Sequence, residues 1–373
     1  MQTPAAKVAK NRFRPQTLPT LPADTLHPDA SLRRWSPSRL LFSIAGGILL
    51  WAIVAALCAC IGPIEGFGWP QAGYARSFRL ESVLVASLVG ASLAAAGVVY
   101  QAILRNPLAD PYLLGVSGGA SLCAYAWRLP LAGALAGSFL VAMSQQVAAF
   151  SGAMIVVAIV LLLATRRGRL EPVTLLLVGV VLNSIDGALF LLLDALHPEI
   201  AGGTGGAMGF LVGGLQSNLT RGQEVGSLVI AAAGWVVLLY AAGELNVAAL
   251  HESEAEALGV RIQRLRWTGL IVASVVTAAA VAISGPIGFI GLICPHLARA
   301  IFGADHRRLL PWSTALGAAL LCSADAISRL LARRELFSHP MPGTHLPVGV
   351  LTAMLGGPFF LVLLWQRRGG NEE

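Results

Sequence analysis

Long apolar runs separated by short polar stretches dominate this sequence. About 17–25 apolar residues suffice to cross the hydrocarbon layer of a bilayer, and ten segments approach that length. They cover residues 40–61, 82–104, 113–127, 139–165, 173–196, 226–243, 267–283, 286–301, 311–328 and 347–365. The third and eighth are short and the fourth is long, so nine or eleven spans stay open here. The pattern predicts an all-α polytopic membrane protein with about ten transmembrane helices.

Composition and charge agree with this interpretation. Hydrophobic residues make up 56% and charged residues only 12% of the 373-residue chain, against about 25% charged in soluble domains. Lys and Arg concentrate in the segments that face the cytoplasm if both termini are inside, as the positive-inside rule requires. The net charge of +7 therefore reflects topology and contact with membrane lipid, and we expect no nucleic-acid partner.

The chain divides into a tail and one membrane domain. Residues 1–39 are polar, basic and proline-containing, which predicts a disordered cytoplasmic tail. Residues 40–373 form a single transmembrane domain with a cytoplasmic loop at about 244–266. The five cysteines lie in or beside apolar runs and fit no metal-ligand pattern, so we expect no bound metal. The Gly-rich stretch 202–209 lacks the Gly-Lys-Ser/Thr of a phosphate loop, so ATP would bind to another subunit.

The ten spans divide into two halves of five. Because five is odd, the second half would cross the membrane in the opposite direction to the first, which is an inverted topology. The third span of each half is short and interrupted, by Gly115, Gly118 and Gly119 in one and by residues 285–295 in the other. Paired broken segments point to a transport pathway in inverted-repeat carriers, although close helix packing explains them equally well. Small residues around Gly90 and Gly97 predict close helix contacts for the second span.

Two polar segments stand out between the spans. In "RNPLADPYLLGVSGGASL" (105–122), Asn106-Pro107 and Asp110-Pro111 end the preceding helix, because proline disfavours helix at and before its position. In residues 244–262, acidic residues precede Gly259, which predicts a short helix on the cytoplasmic face. This helix is either a docking element or a solvated turn.

Five blocks together resemble the FecCD family of permeases in binding-protein-dependent ABC importers. They are "GASLAAAGVVYQAILRNPLADPYLLGVSGGASL" (90–122), "EAEALGVRI" (254–262), "GPIGFIGLICPHLARAIFGADHRRLLP" (285–311), "ADAISRLL" (324–331) and "LPVGVLTAMLGGPFFLVLL" (346–364). The resemblance implies the type II ABC importer permease fold in a bacterial inner membrane. It also implies a second copy of the chain, two ATP-binding cassette subunits that hold ATP-Mg, and a periplasmic binding protein. The chain itself would be no enzyme.

The resemblance also implies roles for particular residues. ATPase coupling falls on Glu254, Ala255, Glu256, Leu258 and Gly259. Binding-protein docking falls on Arg76 and Arg79 and on Arg333 and Arg334, the latter pair alternatively lying at the lipid interface. The cytoplasmic gate falls on Glu171, Pro172, Val173 and Thr174.

Other polar residues within the spans allow two interpretations each. Asn183 and Asp186 lie one turn apart inside the fifth span, where ionisable groups are functional candidates, and either line the pathway or join two helices. Asp325 and Arg329 are spaced to form a structural pair. A metal site at Cys294 and His296 is disfavoured.

The cargo is the least determined property. The family carries iron siderophores, haem and cobalamin. Its members commonly have an acid directly before the Leu/Ile-Pro-Val-Gly block of the last span, where this chain has His345. His345 and His339 lie near the expected outer mouth, where imidazoles would meet haem iron in transit. Haem is therefore the first expectation, ahead of a ferric siderophore and cobalamin. An ion-coupled secondary transporter using Asp186, Asp194 or Asp325 is the rival class, and a membrane enzyme is disfavoured because no metal motif is present.

Overall fold

The structure is a computed structural model that describes residues 37–62, 66–69, 73–129, 144–197, 212–215, 219–250, 252–331 and 346–369. Within these residues the chain forms eleven α-helices, four short strands and one 3-10 turn. The helices are α1 Pro37–Ala59, α2 Tyr74–Ile103, α3 Val116–Ala126, α4 Gln145–Leu163, α5 Pro172–Leu196, α6 Arg221–Ala248, α7 Glu252–Ala257, α8 Ile262–Ser284, α9 Ile290–Phe302, α10 His306–Leu331 and α11 Val348–Gly369. The 3-10 turn is Pro111–Leu114, directly before α3.

Ten of the described helices coincide with the ten predicted spans, and the eleventh, α7, lies in the loop between α6 and α8. Seven of the described helices are long and apolar enough to cross a membrane by length and composition, and α9 and α11 contribute shorter apolar segments. The chain is therefore a multi-pass membrane protein, and the predicted helical architecture is confirmed.

Several helices extend beyond the apolar runs that predicted them. α2 begins at Tyr74 and α10 at His306, eight and five residues before the predicted starts. α6 begins at Arg221 because Thr220 and Gln223 form a capping box, each side chain accepting from the other residue's backbone N–H. A search for apolar residues ends where polarity begins, whereas the helix continues through polar turns outside the hydrocarbon layer.

Two antiparallel hairpins, which the sequence did not predict, connect successive helices. β1 (Ile61–Gly62) pairs with β2 (Gly66–Phe67), and β3 (Thr165–Arg166) pairs with β4 (Arg169–Leu170). The second hairpin turns at Arg167 and Gly168, which have φ angles of 52° and 77°. Two consecutive positive φ values are typical of the tight turn that joins two-residue hairpins, and this turn returns the chain from α4 into α5.

Three helices form the centre of the domain. Within their membrane-spanning windows, 78% of the residues of α2, 72% of α8 and 61% of α10 are buried, compared with 11% for α1 and 22% each for α5 and α6. α2 packs most extensively against α10 and α8. A Cβ atom built on Gly90 would lie 2.1 Å from the carbonyl oxygen of Gly317 in α10. The close helix contacts predicted for the second span are confirmed.

The third helix of each half is short, as predicted. α3 has 11 residues and α9 has 13. Each follows a residue in the left-handed region, Gly115 with φ 77° and Phe289 with φ 70°. The interruption before each short helix thus contains a left-handed residue.

Candidate functional site

The polar segment after α2 forms a compact turn that the side chains of Asn106 and Asp110 stabilise. The backbone N–H of Leu108 donates to Asn106 Oδ1 at 3.0 Å. Asp110 Oδ1 accepts from the backbone N–H of Tyr112 at 2.9 Å and caps the 3-10 turn, which begins with Pro111. The predicted break of the helix in this segment is confirmed.

The same Asp110 side chain joins the two interrupted segments. Its Oδ2 accepts from the backbone N–H of Phe289 at 3.0 Å, across 179 positions of sequence. Burial raises the pKa of this carboxyl group to about 6, although both backbone hydrogen bonds favour its ionised form. The hydrogen bond between Asp110 and Phe289 could not be predicted from the sequence, because nothing in the sequence distinguishes Phe289 from other apolar residues.

The loop between α6 and α8 contains the short helix that the sequence predicted. Gly259, with φ 84°, ends α7, and the N–H of Val260 donates back to the carbonyl of Ala255 at 3.1 Å. Of the residues predicted to couple to an ATPase, Ala255 is buried against the core. The exposed members of that set are Glu254, Glu256, Leu258 and Gly259. α7 therefore exposes two acidic residues and a leucine, while Ala255 packs into the core.

Arg105 connects this loop to the polar turn after α2. Its Nη2 donates to the carbonyl oxygen of Ala248 at 3.0 Å and to that of Leu250 at 2.6 Å. Those carbonyls lie at the C-terminal end of α6, where a cation is favourable. Arg105 itself has φ 49°. The sequence does not predict a role for Arg105, because its partners lie more than 140 positions away.

The two arginines predicted to dock a binding protein have different environments. Arg76 is exposed. Arg79 is only 2% exposed, and its Nη1 donates to the carbonyl oxygen of Gly68 at 3.1 Å. Its guanidinium also packs against Gly62 in the hairpin between α1 and α2. In this structure Arg79 therefore holds the hairpin in place, and Arg76 is the member of the pair that a partner can reach.

The predicted gate residues form the first turn of α5. Glu171 is exposed at the N-cap, Pro172 follows as the first helical residue, and Thr174 donates its hydroxyl to Glu171 Oε2 at 3.0 Å. Val173 is 71% exposed. The arrangement presents an acid and an apolar side chain at the start of the helix, and their role as a gate stays a prediction.

Asn183 and Asp186 lie further along α5 and face α3. A Cβ atom built on Gly118 would lie 2.7 Å from Asn183 Oδ1 and 2.9 Å from Asp186 Oδ2. Both side chains line a cavity of about 310 Å³, which Ser117, Ser121 and Asp194 also border. The structure therefore brings these two predicted residues together beside the short helix of the first half.

The predicted pair of Asp325 and Arg329 is confirmed as structural. The two side chains form a salt bridge of 3.0 Å in α10. Arg329 is 1% exposed and also donates to the carbonyl oxygen of Ile61 at 3.0 Å, just beyond α1. This buried ion pair joins the end of α10 to the end of α1.

Four predicted site residues lie outside the described part of the chain, namely Arg333, Arg334, His339 and His345. Their roles stay predictions. Within the described ranges, no group of three or more His, Cys, Asp or Glu residues is placed to hold a metal ion.

Comparison with known proteins connects this geometry to a family. The sequence model of the FecCD transport family matches residues 68–366, which is most of the chain. The chain belongs to the FecCD transport family. It is therefore a permease subunit of an ABC importer, as the five sequence blocks predicted.

Two relatives illustrate how far the similarity extends. The permease is 39% identical over 331 residues to the cobalamin import system permease protein of Halobacterium salinarum, with 87% of this chain and 81% of the relative covered. It is 36% identical over 302 residues to the hemin transport system permease protein of Yersinia pestis, with 78% and 83% covered. The relatives thus span nearly the whole membrane domain.

Among solved structures, the permease is similar to an ABC transporter described as of metal-chelate type in an inward-facing conformation. The sequence identity is 28% and the TM-score is 0.67, with 87% of this chain and 99% of that chain covered. The predicted type II importer permease fold is confirmed.

Proposed function

We propose that this permease forms a homodimer that imports a bulky metal chelate through the bacterial inner membrane. Two ATP-binding cassette subunits would supply the energy, and a periplasmic binding protein would deliver the chelate. Both termini would lie in the cytoplasm. The family membership supports this assembly, because the similar proteins carry names of import-system permeases for such compounds.

The observation that carries the proposal is the structure of the cytoplasmic loop. α7 exposes Glu254, Glu256 and Leu258, and Ala255 anchors it in the core. Arg105 ties the chain immediately before α7 to the turn between α2 and α3. An exposed helix on a rigid support is what an ATPase needs in order to transmit a movement into the membrane domain.

The class of transporter does not by itself define which chelate is transported. The sequence favoured haem because of His339 and His345, which lie outside the described residues. Haem therefore stays a prediction, with a ferric siderophore and cobalamin as alternatives. The names of the relatives, one for cobalamin and one for hemin, support a bulky metal chelate without choosing among these cargoes.

The test is uptake into proteoliposomes that contain the permease with its ATPase and binding protein. Haem, a ferric siderophore and cobalamin would be offered in parallel, with and without ATP. We expect ATP-dependent accumulation of one chelate that a hydrolysis-deficient ATPase abolishes. Accumulation by the permease alone, driven by an ion gradient, would instead favour the secondary-transporter class.

A further inference from the structure

One cavity within the membrane domain is bordered by polar side chains of two helices. It measures about 310 Å³ and lies between α3 and α5. Ser117 and Ser121 border it from α3, and Asn183, Asp186 and Asp194 border it from α5. Two carboxyl groups thus line the cavity, whereas none of its described lining residues is Lys, Arg or His.

Asp186 is the residue that points to a ligand. Its side chain is 6% exposed, and its Oδ2 is buried without a hydrogen-bond partner in the described structure. Asp194, by contrast, accepts from the hydroxyl of Tyr125 at 3.1 Å. An unpaired carboxyl group inside a membrane-spanning helix is costly and is usually kept for a function. The missing partner is therefore expected to come from a molecule that enters the cavity.

Gly118 allows the polar side chains of α5 to lie directly against α3. A Cβ atom there would approach both Asn183 Oδ1 and Asp186 Oδ2 within 3 Å. Glycine leaves that space open, so the two polar side chains of α5 lie directly against the backbone of α3. Their oxygens are thereby held in one fixed place.

A second, larger cavity adjoins the cavity between α3 and α5. It measures about 830 Å³ and is mostly apolar, with Phe289, Leu292, Met354 and Phe360 among its lining residues. Tyr112 and Pro286 border both cavities. The interrupted segments of the two halves thus lie between a larger, mostly apolar cavity and a smaller one that Asp186 and Asp194 border. A molecule with an apolar face and a polar rim would match both.

We propose that Asp186 and Asn183 form a binding site for hydrogen-bond donors on the rim of the transported chelate. The site would take a chelate that is uncharged or cationic at its rim and that carries carboxamide or ammonium groups. This inference rests on the proposed function, because it takes the molecule that enters the cavity to be the imported chelate. It adds the surface chemistry of the cargo, which the relatives leave open.

The same site disfavours a chelate with carboxylates on its rim, such as haem. A carboxylate only accepts hydrogen bonds when ionised, so it offers a propionate no hydrogen bond. Two like charges in a medium less polar than water also repel each other strongly. The cavity therefore favours cobalamin or a cationic ferric hydroxamate over haem, the cargo that the sequence placed first.

The experiment compares variants of position 186 in proteoliposomes containing the complete importer with its ATPase and binding protein. The probes are cyanocobalamin with an amide rim, ferric desferrioxamine B with one ammonium group, and haem with two propionates. Asp186→Leu should lower uptake of the transported chelate about tenfold or more, because a hydrogen bond to a charged group is lost. Asp186→Asn should retain most uptake of an amide-rimmed chelate and lose that of an ammonium-bearing one.

A matched control lies two residues away on the same helix. Ser184 is exposed, and its hydroxyl donates to the carbonyl of Val180 at 3.0 Å within α5. Ser184→Leu should transport at the wild-type rate. The basal ATPase rate and size-exclusion profile of every variant would show that the complex assembles, and the isosteric Asp186→Asn guards against misfolding of Asp186→Leu.

Three outcomes would overturn the inference while leaving the importer intact. They are ATP-driven uptake of haem alone, wild-type uptake of a donor-rimmed chelate by Asp186→Leu, and a requirement for Na⁺ that Asp186→Leu removes. The last would mean that the site holds an ion. If an assembly with measurable ATPase activity took up none of the three probes in an ATP-dependent manner, the proposed function itself would fail.

Discussion

Replacing Gly97 by alanine should destabilise the permease, because the added methyl group has no space. Gly97 lies in α2, and a Cβ atom built there would be 2.0 Å from the carbonyl oxygen of Gly291 in α9 and 2.6 Å from the Gly291 Cα. Close contacts between a carbon atom and a carbonyl oxygen in proteins measure about 3.3 Å or more. The two helices would have to separate by about 1.3 Å at this point.

The magnitude follows from what surrounds the contact. The clashing atoms belong to the backbone, so no side-chain rotation relieves the overlap. α9 also cannot withdraw easily, because the Phe289 N–H is bonded to Asp110 and Gly291 lies against Pro111. Adding a methyl group to a tightly packed interior costs about 1–3 kcal/mol, and we expect the upper end. This loss exceeds the gain of about 0.5–1 kcal/mol from replacing glycine in a helix.

The assay is thermal unfolding of the purified permease in detergent. Subtracting the gain from replacing glycine leaves a net loss of about 2–2.5 kcal/mol. At about 2–4 °C per kcal/mol, the Gly97→Ala midpoint should fall by about 4–10 °C. Gly226→Ala is the matched control, because Gly226 also lies within a helix and has no atom within 4 Å of a built Cβ. The control should unfold at or slightly above the wild-type temperature. Equal midpoints for the two variants would refute the reasoning about the contact between α2 and α9.

Three further predictions concern arginines. Arg329→Ala should cost about 3–5 kcal/mol of stability, because it leaves the Asp325 carboxyl group buried without its partner, and the unfolding midpoint measures this. Arg105→Ala should lower uptake per ATP hydrolysed several-fold, because the loop before α7 loses two hydrogen bonds to its support. Arg76→Glu should weaken binding of the periplasmic protein about fivefold at low salt, whereas Arg79→Ala should mainly lower the unfolding midpoint.

Each prediction has a control and a contrary result. Replacing both Asp325 and Arg329 by leucine should recover much of the stability lost in Arg329→Ala; a double variant as unstable as the single one would contradict the ion-pair argument. Arg105→Lys should not restore coupling, because a single ammonium does not reproduce the guanidinium fork that reaches both carbonyls. Binding of the periplasmic protein that depended on Arg79 more than on Arg76 would reverse our assignment of the two arginines.

Membrane burial explains why the helices could be predicted from the sequence. Lipid satisfies no backbone hydrogen bond, so a long apolar run within it must be helical. α8 and α11 match their predicted spans within five residues at each end. α2 does not, because its first two turns contain Arg76, Arg79 and Glu81, which an apolar search excludes. The small-residue spacing around Gly90 was likewise readable, since close packing requires residues without large side chains.

The candidate sites were less predictable because they depend on contacts between distant segments. Asp110 is an ordinary helix-capping residue by sequence, and only the fold places Phe289 against its second oxygen. The family resemblance implies a docking role for Arg79, but the hairpin before α2 encloses this side chain. Asp186 was a candidate by polarity alone. Its missing partner and the adjoining apolar cavity become visible only when α3, α5 and the residues before α9 are brought together.

The segment between α2 and α3 connects the loop that contains α7 to the cavities through direct contacts. At one end, Arg105 binds carbonyl oxygens at the end of α6, immediately before α7. At the other end, Asp110 holds Phe289, which lines the apolar cavity, and Tyr112 borders both cavities. A displacement of α7 would therefore pull on the same short turn that fixes the boundary between the two compartments. The polar residues of this turn therefore have two roles. They end α2, and they connect the loop that contains α7 to the two cavities.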